Sequence, residues 1–272
     1  MIESSQIHPF GLLINAKNLG GDYQLLLAEL VKLILKSKII VLRNFSGDLL
    51  TIAQSLGDVL VDTDGKPSVL DVKEIPGGSV DGVLGSGRVP LHWDGYWSDS
   101  TPDFQIFQCV EAPRPGYGGE SLFVDTTEIL KSALESHYQL WEQRVFVYPF
   151  PTRDRTQEGL LNLLQGPTRR YRLIDKHPHT GEKVMRFREN DFDTFDQMDK
   201  FGLSDWNLTG RALSSCYFEI LDELYSPKNC LKHAWKPGDI VITDNQALLH
   251  GRTPYFGHRR LHRLMANMRS TR

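Results

Sequence analysis

A chain of 272 residues, 40% of them hydrophobic and 24% charged, has the balance of a soluble globular protein and can bury a full core without disulfides or a structural metal. A net charge of −3 and a pI near 6.3 exclude a basic footprint for nucleic acid or for an anionic membrane surface. The cysteines, Cys109, Cys216 and Cys230, are odd in number and widely spaced, which argues against a disulfide framework or zinc knuckle and suits a reducing compartment.

The first ten residues hold no long apolar run, and the stretch from Leu25 to Leu35 is interrupted by Glu29 and Lys32. Neither a signal peptide nor a membrane span is expected, and the expected location is the cytoplasm. Over residues 22–37, Leu26, Leu30 and Ile34 and the series Leu27, Val31 and Leu35 keep the 3.6 period of an amphipathic helix, with Asp22 placed to cap it. KIIVLRNF (38–45) predicts a buried strand, and a short helix follows over 47–56. From residue 58 short β-rich runs alternate with turn clusters, among them IPGGS, APRPGYGG, HPHTG, KPGD and GRTPYFG. Two further helices are expected over 126–140 and 209–225. Many short strands framed by a few helices predict a mainly β sandwich or barrel, and no glycine-rich phosphate loop opens a helix. One domain is expected over 1–272, with 1–57 as helical and strand support and 58–272 as a β core with insertions.

The segment LHWDGYW (91–97) carries the chemistry. His92 and Asp94 are two apart, and on a strand such residues share a face. An imidazole and a carboxylate side by side supply two ligands for a divalent metal; a third completes a facial triad that leaves three coordination positions open. The same tripeptide also reads as a hydrogen-bonded strand histidine followed by the first residue of a turn. The block WKPGDIVITDNQALLHGRTPY (235–255) supplies a third candidate, His250, at the end of what reads as two strands, DIVIT and DNQALLH. In HRRLHRL (258–264), Arg259 and Arg263 are four apart and face one way on a strand, an arrangement that suits two carboxylates or, alternatively, a solvated basic edge.

HWD, GGESLFVDT (118–126), HPHTGEKV (177–184), the 235–255 block and RRLHR together resemble, in order and spacing, the taurine and chlorophenoxyacetate dioxygenase family. The resemblance implies a double-stranded β-helix (jelly-roll) core with flanking helices, Fe(II) at one end and 2-oxoglutarate as cosubstrate beside dioxygen and a small-molecule substrate. Carried over, His92, Asp94 and His250 take the metal-ligand positions. Ser121 stands where the family has a threonine on the distal 2-oxoglutarate carboxylate, Arg259 where the cosubstrate arginine lies, and Arg263 where a substrate-anion arginine lies. The stretch from His250 to Arg259 is shorter than the family pattern, which leaves Arg260 as an alternative; the spacing of four selects Arg259 and Arg263. A halogenating branch replaces the carboxylate ligand with a small residue, so Asp94 implies oxygen transfer or desaturation. LHWDGYWSDSTPDFQIFQCVEAP is most similar to the dioxygenases that accompany isonitrile synthases, which implies desaturation of an aromatic amino-acid isonitrile. The alternatives are a hydroxylase of a sulfonate, amino acid or aryloxyacetate, and a non-catalytic jelly roll that binds a metal or small acid.

Other residues carry competing readings. Tyr96 and Trp97 could line an aromatic slot or belong to the core. His177 and His179 form a second His-X-His pair, but Pro178 and Gly181 favour an exposed turn. Cys109, within QIFQCV, reads as a small buried hydrophobe without an adjacent base. Lys66 and Lys73 read as solvated loop lysines.

Overall fold

Runs of apolar residues too short for helices pair here into two facing sheets. The computed structural model describes residues 2–21, 23–75, 83–96, 98, 100–149, 168–189, 204–205 and 210–269. The larger sheet contains β1 (Ser5–Gln6), β2 (Leu12–Asn15), β3 (Ile39–Arg43), β4 (Asp58–Val59), β5 (Leu70–Lys73), β7 (Phe104–Glu111), β15 (Ile240–Asp244) and β17 (Arg260–Asn267). Its order is β1-β2-β3-β15-β7-β17, and β17 then pairs with β4 at one end and β5 at the other. The smaller sheet contains β6 (Val89–His92), β8 (Ser121–Asp125), β14 (Cys230–His233) and β16 (Leu248–Arg252) in the order β14-β8-β16-β6. Among the described residues every strand pairing is antiparallel except β2 with β3. Outside the two sheets, β9 (Val145–Pro149) lies between β10 (Thr168–Arg172) and β13 (Ser204–Asp205), and β11 (Ile174–Lys176) with β12 (Lys183–Met185) forms the HPHTG hairpin. This is the jelly roll expected from the motifs.

Three apolar layers follow from strand alternation. Ile39 and Val41, with Phe107, Cys109, Val241 and Leu261, meet Phe123, Leu231 and Leu248 of the smaller sheet inside the roll. Ile40 and Leu42 face outward, where Ile106, Ile242 and Leu264 pack under α1 (Gln24–Ser37) and α2 (Leu49–Leu56). On the far side, Leu91, Leu122, Val124 and Leu249 pack against α3 (Thr126–Ser132), α4 (Glu135–Glu142) and α5 (Gly210–Tyr225). A strand covered on both faces needs apolar residues at successive positions, which explains the unbroken run Ile39–Leu42. β3 sits between β2 and β15, so residues before 58 complete the larger sheet.

Two expectations change in detail. The helix expected over 126–140 is two, because Ala133 and Leu134 are extended (ψ 142 at both). α3 is capped by Asp125, whose carboxylate accepts the Thr127 and Glu128 amides. The cap expected at Asp22 lies outside the described residues. DNQ (244–246) does not begin a strand: Asp244 ends β15, and residues 245–247 form the turn that carries the chain from β15 in one sheet to β16 in the other.

Gly118 shows where backbone freedom is required. It adopts φ +78 and bridges to Tyr255, and a Cβ there would collide with the Pro254 carbonyl. Gly118→Ala should lower the unfolding free energy by about 1–3 kcal/mol through strain, measured as a shift in the urea midpoint at unchanged slope.

Candidate metal centre and cosubstrate pocket

His92 and His250 are direct cross-strand partners on β6 and β16, with ring centroids 4.3 Å apart. The ladder is irregular beside them, and Pro90 sits in that irregularity, where a missing N–H costs no ladder bond. The Pro90 carbonyl accepts the Nδ1–H of His92 at 2.8 Å, which turns Nε2 into the site. Gly251 is required next to His250, because a Cβ would lie 2.7 Å from the Val89 carbonyl. β6 ends at His92, so Asp94 stands in the following turn rather than on the strand. Its Oδ1 nevertheless lies 3.5 Å from His92 Nε2, and ligand atoms of His92, Asp94 and His250 all fall within 4.8 Å of one another.

The turn is held by Asn245. Its Oδ1 accepts the Asp94 amide at 3.1 Å, and its Nδ2 donates to the Asp94 carbonyl at 3.0 Å and to Pro102 at 2.7 Å. The Asp94 side chain meets two further donors at Oδ2: Gln105 Nε2 at 2.5 Å and Arg263 Nη1. Burial alone would raise the Asp94 carboxyl, but the Arg263 charge beside it holds it well below the usual carboxylate range. Burial pushes His250 down to about 3, so its imidazole is neutral and has a lone pair to offer. Two imidazoles and one ionised carboxylate converging at this distance fit a divalent first-row metal.

A cleft of about 460 Å3, part of it open to solvent, runs from the histidines between the sheets. Val72, Phe107, Phe123 and Leu261 line its walls, and Ser121, Arg252 and Arg259 its far end. Arg259 and Arg263 both border it, as the spacing of four requires; along a strand that spacing is about 13 Å. Arg259 is 5% exposed, donates to the Gly119 carbonyl at 3.0 Å and to Ser121 Oγ at 3.3 Å, and forms no ion pair with a carboxylate among the described residues. Burial brings it down to about 10, which leaves it cationic at neutral pH. Trp235 Nε1 donates to the same Ser121 oxygen at 3.1 Å. A buried guanidinium without a counter-ion is a receptor for an anion. Arg252 closes this end by donating to the carbonyls of Val83, Gly85 and Gly87.

Several expected residues are placed elsewhere. Arg260 points out of the roll and pairs with Asp71 at 2.8 Å, as does exposed Lys73 at 2.9 Å. Arg263, expected on a substrate carboxylate, is bonded to Asp94. Tyr96 does not line the cleft: it is a core residue, 5% exposed, 5.9 Å from the Trp93 ring and 6.2 Å from Tyr148. Trp97 lies outside the described residues. The HPHTG turn exists, but His177 is buried, with Nε2 on Asp244 at 3.0 Å and Nδ1 accepting the amides of the turn. Cys109 is buried and its thiol is pushed up to about 12 by burial, as expected of an inert side chain. Gln105, Asn245, Trp235 and Arg252 were not singled out in the sequence. Gln105 had a visible signal: it is a polar residue at an inward-facing position of a strand whose next inward residues are Phe107 and Cys109.

A jelly roll with two histidines and a carboxylate at one end and a buried, unneutralised arginine behind them defines the non-haem iron(II) oxygenases that use 2-oxoglutarate. The model of the family described as "Taurine catabolism dioxygenase TauD, TfdA family" matches residues 6–265, and the chain belongs to that family. Among its relatives, the 3-((Z)-2-isocyanoethenyl)-1H-indole synthase of Fischerella ambigua is 34% identical over 259 residues, 93% of this chain and 90% of that one. The tyrosine isonitrile desaturase of Erwinia amylovora is 30% identical, over 94% of this chain and 86% of that one. The crystal structure of PvcB from Pseudomonas aeruginosa superposes with a TM-score of 0.75 at 25% identity, covering 97% of this chain and 91% of that one. A second structure describes PvcB as an Fe, alpha-ketoglutarate dependent oxygenase from an isonitrile synthetic pathway. The present chain is likewise an Fe(II)- and 2-oxoglutarate-dependent dioxygenase. No helix among the described residues is long and apolar enough to cross a membrane.

The arginine geometry separates two neighbours. Arg259→Leu should raise the apparent KM for 2-oxoglutarate about 30- to 700-fold, the equivalent of ~2–4 kcal/mol for a charge-assisted contact. Arg260→Ala removes a solvent-facing pair and should leave KM within about twofold; initial rates of succinate release at varied cosubstrate give both values.

Burial also links stability to pH. His250 and His233 are held down to about 3 and about 4, below their ordinary 6.5. The unfolded chain therefore takes up more protons below pH 6.5, and stability, complete above that pH, falls as pH drops toward 4. Urea midpoints of metal-free protein should decrease from pH 7 to pH 5, a range above ordinary carboxylate titration. His233→Asn should make that decrease shallower.

Proposed function

We propose that the enzyme desaturates an aromatic amino-acid isonitrile with loss of its carboxylate, as a step of natural-product biosynthesis. The observation that carries this reading is similarity along nearly the whole chain to enzymes named for making or desaturating such isonitriles. LHWDG, which carries Asp94, and FQIFQCV, whose Gln105 donates to the Asp94 carboxylate, lie within that match.

In this reading His92, Asp94 and His250 hold Fe(II), which when bound couples dioxygen reduction to oxidative decarboxylation of 2-oxoglutarate to succinate and CO2. The chain's own groups orient the reactants. Arg259, with Ser121 oriented by Trp235, receives the distal carboxylate of 2-oxoglutarate at the closed end of the cleft and directs its keto-acid end toward the histidines. Apolar walls exclude water, which strengthens the Arg259–carboxylate attraction. A substrate lying beside the triad loses one hydrogen from its β-carbon and its carboxylate from the α-carbon, and the double bond forms between those carbons. The two electrons released, with two from 2-oxoglutarate, reduce one dioxygen; one oxygen atom ends in succinate and the other in water. The intact carboxylate at Asp94 leaves no vacancy for a halide ligand and so favours oxidation over halogenation.

Incubating the enzyme with Fe(II), 2-oxoglutarate, dioxygen and a tryptophan- or tyrosine-derived isonitrile should yield the vinyl isonitrile, lighter by CO2 and two hydrogens, with succinate formed in equal amount. Faster succinate release with taurine or an aryloxyacetate would overturn the substrate assignment and leave the enzyme class standing.

A further inference from the structure

Asp94 uses its two oxygens differently. Oδ1 faces His92 Nε2 at 3.5 Å, whereas Oδ2 is covered by Gln105 Nε2 at 2.5 Å and by the Arg263 guanidinium. Neither donor residue is satisfied elsewhere to the same degree: Gln105 Oε1 and Arg263 Nε are buried without a hydrogen-bond partner among the described residues. A buried polar atom left unpaired costs free energy, so both side chains are oriented by Asp94 rather than by their own remaining groups. The opposite orientation of the Gln105 amide would set its carbonyl oxygen against a carboxylate. Both residues come from adjacent central strands, β7 and β17, where Gln105 lies directly opposite Met265. The donors are thus carried on or beside strands paired on both sides, while Asp94 stands in a turn.

We propose that Gln105 and Arg263 are positioning residues that keep Asp94 a one-oxygen ligand. The inference rests on the metal role proposed above for Asp94. An octahedral metal held by two imidazoles and one carboxylate oxygen has three open positions, two for a chelating keto acid and one for dioxygen. A carboxylate free to rotate and chelate through both oxygens would fill the third. Capping Oδ2 with one neutral and one cationic donor prevents this and keeps Oδ1 aimed. It also spends the charge of Arg263 on the protein's own carboxylate, so a substrate carboxylate is recognised by other groups.

The test is a Co(II) titration of the full-length, metal-free protein, followed by the visible d–d absorption, whose intensity reports coordination number. Gln105→Met keeps the volume and removes the donor; Arg263→Met does the same for the guanidinium. Each should weaken Co(II) binding about 10- to 100-fold, the usual cost of removing a partner of a metal ligand, and change the d–d intensity. Arg263→Lys should restore part of the affinity. The thermal midpoint of the metal-free variants serves as the folding control, and Gln105→Asn, with a shorter reach, replaces Gln105→Met if that variant does not fold. Co(II) affinity and spectrum within about twofold of wild type for both Met variants would overturn the inference. Asp94→Ala separates the two readings: if it too leaves Co(II) binding unchanged, the metal assignment itself is wrong, and if it alone weakens binding, only the positioning role is lost.

Discussion

Asn245 makes both backbone hydrogen bonds of Asp94 at once, and most of the site depends on that clamp. Asp94 is not carried by a strand, so nothing in a β ladder fixes its position relative to His92 and His250. The clamp works because Asn245 sits in the turn between β15 and β16, the crossover between the two sheets. That turn is itself pinned on both sides. Asp244 takes the His177 imidazole and the amides of Gln246 and Ala247. Gln246 donates to Asp103 and accepts from Arg186. Asp103 also receives the Met268 amide and lies 2.9 Å from the His179 ring. In a buried network of this kind each group is satisfied by the next, and an unpaired member would cost about 1–3 kcal/mol.

This arrangement gives the HPHTG hairpin a structural meaning. Its first histidine is neither an exposed turn residue nor a metal ligand. Its Nδ1 closes the turn, and its Nε2 reaches Asp244, so the hairpin braces the crossover turn from outside the roll. A buried histidine between a turn and a carboxylate thus transmits rigidity to a ligand two network bonds away.

The cleft is strongly polarised. Three arginines border it, and Asp94 neutralises one of them. Arg259, enclosed by Trp235 and Tyr255 rings about 6 Å away, keeps a positive charge where water is scarce. Such a site favours a dianion that can span from the arginine to a metal and disfavours neutral ligands of the same size. The charge distribution therefore orients the cosubstrate as well as binding it.

Elements set by local periodicity were legible in the sequence. α1 and β3 follow from the spacing of Leu26, Leu30 and Ile34 and from the unbroken run Ile39–Leu42, because a helix or a doubly covered strand imposes its period on its own residues. The Arg259–Arg263 pair was legible for the same reason, since a four-residue spacing is a local property; the candidate triad was legible through the family resemblance, because Asp94 stands off the strand and His250 lies far along the chain. What the tertiary structure decided concerns partners far apart in the chain. Whether Arg263 faces a ligand or Asp94, whether Tyr96 enters the cleft or the core, and whether His177 is exposed depend on which strand lies alongside. Gln105 and Asn245 meet Asp94 only when β7 and the β15–β16 turn are brought beside β6, a contact set by how the two sheets close and not by any period within one segment.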